Sequence, residues 1–569
     1  MVQKKHGLWG LLSLLALTVA CSSPTYLGSA HVPSTSPLSP SLSGQSAHEP
    51  LPLADPALLP TRLFPTLPPG ADAQTQTYRQ TFLQKYGVNP FVEAQTDPLS
   101  TFAADVDTAA YSLARSYIRQ GSLPPIATVR TEEFINAMPY TYPQPVTDKF
   151  AIYTEIATPD FGSDKGYLRI GIQGRDILAP QRKSAMLTFV IDVSGSMNTE
   201  NRLGAVKQSL RLLVEQLQPQ DQVAIVIYGH QARVVLAPTA GDNKSQILAV
   251  IDRLRPEGAT NVEAGLLLGY QMATQQFKPE AINRVILCSD GVANVGNTGP
   301  EAILARIRQQ AEKGVSLTTI GFGMGDYNDT LMEQLANQGD GLYAYVDTVD
   351  EARRIFVENL TRTLQLLAKD MKIQVRFDPA QVAQYRLLGY ENRALADQDF
   401  RNDRVDAGEV GANHSVTAVY AVRFHAAVAA GPIADITLRY KDIDNHEQMV
   451  EQSHRVSGQE LLRFAQASSD FRLAVAVAEY AEILRQSPFA VMSPLERVAT
   501  EVNDLRRTRP QDAYLAELAD LIQRTQRLRQ PSSQTVQTLL AQAENTSQYP
   551  LWRDYLLQQL VGRGGVAEE

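Results

Sequence analysis

Four stretches between residues 181 and 366 are almost wholly apolar: 186–191, 222–228, 284–288 and 316–322. Runs of this kind fit parallel strands covered on both faces, where no position needs to be polar. Between them lie amphipathic stretches at 203–217, 244–254, 262–277 and 300–313, which read as helices. Strands alternating with helices predict a doubly wound α/β unit with a parallel sheet. On either side the period changes. In Tyr167-Leu168-Arg169-Ile170-Gly171-Ile172, the residues Leu168, Ile170 and Ile172 share one face, the period of a half-buried strand. The same alternation returns at 371–377, 416–424 and 433–440. These flanking strands predict one antiparallel, β-rich domain interrupted by the α/β unit.

Further from the centre the chain reads as helical. Asp107-Thr108-Ala109-Ala110-Tyr111 looks like a helix start with Asp107 as cap or first-turn acid, and Thr131-Glu132-Glu133 begins another helix. Near the other end, Leu473, Val477, Tyr480, Ala481 and Leu484 fall on one helical face, as do Leu515, Leu518 and Ile522. The expected organisation is therefore an export signal (1–21), a linker (22–75), an N-terminal helical segment (76–150), the first part of the β-rich domain (151–180), the α/β domain (181–366), the second β-rich part (367–456) and a helical region (457–569).

Composition adds the setting. Lys4 and Lys5 precede an apolar run from Gly7 to Ala20, which is too short to span a bilayer and has signal-peptide length. It ends in Leu17-Thr18-Val19-Ala20-Cys21, which resembles the bacterial lipobox, with Thr18 where Leu is commonest. That resemblance implies lipid on Cys21. The Pro- and Ser-rich residues that follow bury too little apolar surface to fold and read as a tether. Ser22, rather than Asp, favours the outer face in a two-membrane cell. With Cys21 lipidated, the second cysteine, Cys288, is a lone buried thiol in an apolar run. A formal net charge of -9 argues against nucleic acid, which needs clustered Lys and Arg.

The chemistry concentrates where the first α/β strand ends, in Ile191-Asp192-Val193-Ser194-Gly195-Ser196. Open parallel sheets bind ligands just beyond the carboxyl ends of their strands. Asp192, Ser194 and Ser196 offer a carboxylate and two hydroxyls there, all hard oxygens. Two more loops belong to the same edge: Glu257-Gly258-Ala259-Thr260-Asn261 and Ser289-Asp290-Gly291. Together they supply Asp192, Ser194, Ser196, Thr260 and Asp290 as candidate ligands. Hard oxygens suit Mg²⁺, Mn²⁺ or Ca²⁺ and suit zinc or copper poorly.

Asp-x-Ser-x-Ser after a hydrophobic strand, then Thr in Gly-Ala-Thr-Asn, then Ser-Asp-Gly after another strand, resembles the von Willebrand factor type A fold and its metal-ion-dependent adhesion site. Phe102-Ala103-Ala104-Asp105-Val106-Asp107, Gly121-Ser122-Leu123-Pro124-Pro125, the 323–329 segment and Lys369-Asp370-Met371-Lys372 are similar to a family of bacterial VWA lipoproteins. The resemblance implies that Ser194, Ser196 and Thr260 touch the metal while Asp192 and Asp290 act through water. It also implies a protein ligand that offers an Asp or Glu, a cell-envelope, extracytoplasmic location with a lipid anchor, and no catalysis.

Other chemistries fit less well. Asp105-x-Asp107 is read as helix capping, because no core strand is legible before it. Neither serine lies in a Gly-x-Ser-x-Gly elbow, and no phosphate-cradling Gly-Lys loop exists. His414, His425, His446 and His454 lack tight ligand spacing. The rival function is an envelope assembly or maintenance scaffold in which the metal is structural and the flanking domains bind the partner. A hydrolase in the flanks is a third reading.

Overall fold

The structure, a computed structural model, describes residues 86–529 apart from 160–163, 292–299, 324–326, 359–363, 426–427, 429 and 491–492. The export signal, Cys21 and the linker lie outside the described residues. Those described belong to one compact unit, 70–569.

At its centre is a six-stranded sheet. Across it run Tyr343–Val346, Ser316–Phe322, Ile282–Ser289, Ala185–Asp192, Gln222–Tyr228 and Ala232–Ala240; all neighbours are parallel except the last pair. Side chains alternate between faces along a strand. Leu187, Phe189 and Ile191 therefore pack on one side against Leu203, Val206 and Leu210 of the helix Arg202–Gln216 and Ile247 of Lys244–Arg253. Val190, Val226 and Leu287 face the other way, onto Leu266 of Val262–Gln275 and Leu331 of Asp329–Asn337. From Ala185–Asp192 the chain first moves to one side, to Gln222–Tyr228, and later returns on the other, to Ile282–Ser289. The connections part at Asp192, which opens a crevice at the carboxyl edge.

The flanking strands form a two-sheet sandwich. One sheet runs Val92–Glu93, Val382–Leu387, Ser415–Phe424, Lys165–Gly174, Phe150–Thr158 and Leu461–Arg463, antiparallel except for its last pair. The other runs Gly408–Gly411, Leu366–Phe377, Pro432–Asp442 and Gln448–Ser457, with Leu99–Ala103 extending one side of Leu366–Phe377. Strands before and after the α/β domain pair directly, Lys165–Gly174 with Ser415–Phe424, so the α/β domain is inserted into the sandwich. Leu168, Ile170 and Ile172 do share the face that meets Ile373, Val375 and Leu438. The opposite face of that sheet is covered rather than solvated: Phe471, Ala474 and Ala478 of Ser469–Leu484 pack on Ala157 and Val419.

The N-terminal segment differs from its sequence reading. A strand, Leu99–Ala103, does precede Asp105. Thr108, not Asp107, is the cap residue of Ala109–Arg119, and it makes no side-chain cap bond. Asp107 instead accepts a hydrogen bond from the Tyr343 amide at 2.9 Å, and Arg393 reaches both Asp105 (2.8 Å) and Asp107 (3.1 Å). Tertiary partners have outbid local capping. Similar buried ion pairs join every module. Arg115 meets Asp347, Glu351 and Glu517, while Arg130 meets Glu133 and Asp329. Arg485 meets Glu391 and Glu482. Buried charges persist only when paired in this way. The C-terminal helices close the hub: Leu473, Val477, Tyr480, Leu515, Leu518 and Ile522 pack with Tyr111, Ile118 and Phe134. Among the described residues, no helix is long and apolar enough to cross a membrane.

One hub carboxylate gives a pH test. Glu132, buried in the first turn of Thr131–Asn136, accepts a hydrogen bond from the Tyr390 amide at 2.9 Å. Burial, aided by the charges of Glu391, Asp105 and Glu133, pushes its carboxyl from 4.5 up to about 8. The folded chain thus keeps a proton that the unfolded chain releases above 4.5. Stability contributed by this proton falls as pH rises through that window and levels off above it. Glu132→Gln should flatten the decline in thermal midpoint between pH 5 and 9. An unchanged slope would remove Glu132 as its source.

Candidate metal centre

Asp192 ends the central strand at full burial, with Tyr228 beside it in register on one neighbouring strand and Ser289 at the end of the other. Its Oδ1 accepts from the Ser194 amide at 2.8 Å. Its Oδ2 accepts from the Tyr228 hydroxyl at 3.2 Å and the Ser289 hydroxyl at 3.0 Å. The chain then turns through a 3₁₀ segment, Gly195–Asn201, before the helix at Arg202. That turn brings the Ser194 and Ser196 hydroxyls within 3.0 Å of each other.

The second loop is stitched to the first through the backbone. The Gly195 amide donates to the Gly258 carbonyl at 2.8 Å, and the Glu257 amide donates to the Val193 carbonyl. The Asn261 amide donates to Gly229 O at 3.0 Å. Thr260, 9 % exposed, sits between these anchors, and Asn261 caps the following helix by accepting from the Ala264 amide. The third loop leaves Ser289, whose hydroxyl also accepts from the Gly291 amide at 3.1 Å. Gly291 has φ +72°, and a Cβ there would lie 2.7 Å from the Asn328 amide nitrogen. Asp290 is buried and takes an ion pair from Arg202 at 2.8 Å.

Hydrogen bonds thus link Asp192 to Ser194 and to Ser289, the neighbour of Asp290, while backbone bonds tie the Thr260 loop to that of Ser194 and Ser196. Three residues of this edge were not singled out from sequence. Tyr228 was findable, because it ends the strand paired with Asp192. Ser289 lay within the quoted Ser-Asp-Gly. Arg202 carries no local signal, since only the fold brings it to Asp290. Burial pushes the Asp192 carboxyl up to about 6, against the hydrogen bonds from Ser194 and Ser289 and with help from the charge of Asp290. A carboxylate so costly to ionise gains from a nearby cation. The donors of the three loops are oxygens throughout, which fits a hard divalent ion. A separate carboxylate group, Asp340, Asp406 and Glu409, lies at the opposite edge, where Lys369 already pairs with Asp340 at 2.8 Å.

Residues 187–360 match the family model of the von Willebrand factor type A domain. Residues 76–169 match one described as von Willebrand factor, and 362–528 match the C-terminal model of Uncharacterized protein YfbK. The chain is 35% identical over 469 residues to Uncharacterized protein YfbK of Escherichia coli (strain K12), covering 77% of this chain and 80% of that one. This chain belongs to the YfbK family of von Willebrand factor A proteins. Uncharacterized protein sll0103 of Synechocystis sp. is 28% identical over 189 residues, 33% of this chain and 44% of its own. Among solved structures, a von Willebrand factor type A protein from Catenulispora acidiphila matches with a TM-score of 0.38 at 14% identity, over 63% of this chain and 89% of that one. Domains of this type commonly bind proteins through a divalent metal.

In this YfbK-family chain Gly229 lets two of the loops meet. A Cβ there would lie 2.5 Å from the Glu257 carbonyl oxygen, which is backbone and cannot swing aside. Gly229→Ala should cost about 1–3 kcal/mol and speed amide hydrogen exchange in 193–201 and 256–261. Exchange left as slow as in the wild type would show that the loops do not depend on this close approach.

Proposed function

We propose that the chain is a cell-envelope protein, not an enzyme, that captures a protein partner through a divalent cation. Mg²⁺ is the first choice, with Mn²⁺ and Ca²⁺ as alternatives, held by Asp192, Ser194, Ser196, Thr260 and Asp290. The partner supplies an Asp or Glu. The observation that supports this most is the convergence of a buried Asp192 and paired Ser194 and Ser196 hydroxyls with the loops of Thr260 and Asp290 at one sheet edge. Both Asp192 oxygens already accept hydrogen bonds from the protein. That favours a role through water for Asp192, with Ser194, Ser196 and Thr260 touching the ion. A cation with few direct carboxylate ligands stays electrophilic toward an outside carboxylate.

The test is a pull-down from the native envelope with wild type and Asp192→Ala, each with and without chelator. Capture should vanish with chelator and in the variant, while circular dichroism keeps its folded signature. Capture that persists in excess chelator would sink the metal-dependent reading and favour binding by the flanking domains.

The lipid anchor is proposed on Cys21, from the apolar run and small residue before it. Cys21→Ser should shift the protein from the membrane fraction to the soluble fraction after cell lysis. An unchanged membrane fraction would exclude Cys21 as the anchor.

A further inference from the structure

We propose that Arg202 is a resident counter-cation of the Asp290 carboxylate, one that opposes metal binding and thereby makes occupancy depend on an acidic partner. This inference rests on the metal-dependent reading above. Arg202 opens the helix Arg202–Gln216 directly after the 3₁₀ turn Gly195–Asn201, and its guanidinium is held by the carboxylate of the third loop. Its Nη1 lies 2.8 Å from Asp290 Oδ2, with Arg202 8 % and Asp290 1 % exposed, so solvent screens the pair little.

The path of the side chain is built for this. Gly323 has φ +85°, and a Cβ there would lie 2.2 Å from Arg202 Nε, 2.4 Å from Cδ and 2.7 Å from Cγ. The arginine stem runs flush over bare backbone that no other residue type would leave open. That backbone is fixed in turn by the Tyr345 hydroxyl, which donates to the Gly323 carbonyl at 2.6 Å. The guanidinium is therefore delivered to Asp290 by packing as well as by charge.

Two consequences follow from Coulomb repulsion. A divalent ion near Asp290 shares that carboxylate with a fixed positive charge, which weakens its binding. An ion bound beside the guanidinium also leaves the site more positive than the aspartates alone would, and an outside carboxylate relieves that surplus. Metal and acidic ligand then reinforce each other, and the coupling is reciprocal. Arg202 is a positioning and charge-setting residue here, not a ligand.

The experiment titrates Mn²⁺ alone into the full chain by calorimetry, for wild type, Arg202→Gln, Arg202→Met and Arg202→Lys. Thermal midpoints are measured for each with and without Mn²⁺. Arg202→Gln keeps a donor for Asp290 but removes the charge, and it stands in if Arg202→Met does not fold. Both neutral variants should bind Mn²⁺ about tenfold more tightly than wild type, and Mn²⁺ should raise their midpoints more than it raises the wild type's. Arg202→Lys should stay near wild type. A purely structural arginine would give equal or weaker Mn²⁺ binding in the neutral variants, and that result overturns the inference while leaving metal binding itself intact. Wild type that takes up no Mn²⁺ overturns the metal-dependent reading, and this inference with it.

Discussion

The carboxylate of Asp192 is buried at the one place in the central sheet where successive connections depart in opposite directions. An ionised group in that position needs donors, and the edge is organised around supplying them. The Ser194 amide comes from the turn that Asp192 itself begins. The Tyr228 and Ser289 hydroxyls come from the strands on either side. Each donor fixes one loop or strand end relative to the next. Meeting the polar demand of one side chain therefore aligns the other oxygens of the edge. Protein donors reduce the cost of the charge without abolishing it, since the carboxyl remains raised. That residual cost is what a cation would offset.

The same logic, with ion pairs in place of hydroxyls, assembles the rest of the molecule. Arg130 and Arg115 come from the N-terminal segment, while Asp329, Asp347 and Glu351 come from the α/β domain. Arg393 comes from the sandwich, and Glu517 comes from a C-terminal helix. In these pairs one module buries its arginine against acids that another module brings. Breaking one member leaves an uncompensated buried charge, which is far costlier than never having buried the pair. Such a hub favours one mutual arrangement of the modules over looser alternatives. It also buries Glu132 and Glu133, and that burial, with lesser contributions from nearby acids, raises both carboxyls.

Legibility in sequence tracked how local the deciding physics is. The strands Gln222–Tyr228 and Ser316–Phe322 were readable to the residue, because a strand covered on both faces is mostly apolar and carries no charge. Ala232–Ala240 was not read as a strand. It is an edge strand, partly exposed, and it carries Pro238 where its pairing register shifts, a place that tolerates proline. Tyr343–Val346 is too short to show a period. Asp107 has the composition of a helix cap, but the Tyr343 amide and Arg393 claim it, and both are more than two hundred residues away in sequence. The candidate site was legible as three motifs because two of the loops directly follow an apolar strand and the Thr260 loop directly precedes a helix. What the motifs could not reveal was the charge beside them. Arg202 looks like an ordinary helix residue until the fold lays it over Gly323 and onto Asp290.

Insertion geometry also decides which way the site faces. The inserted domain begins at the amino end of Ala185–Asp192 and leads back into the sandwich strand Leu366–Phe377. Its two chain ends are held together there, the Lys183 amide donating to the Gln365 side chain at 3.1 Å. Lys369 of the sandwich strand reaches Asp340, which precedes the last parallel strand, so the joint lies along the amino-terminal edge. Asp192 closes the other end of an eight-residue strand, roughly 25 Å away at the rise of a β-strand. The N-terminal segment grips the domain toward the carboxyl side, Arg115 at Asp347 and Arg130 at Asp329. The joint with the sandwich strand lies at the amino-terminal edge instead, so that joint and the loops that carry the chemistry do not compete for the same surface.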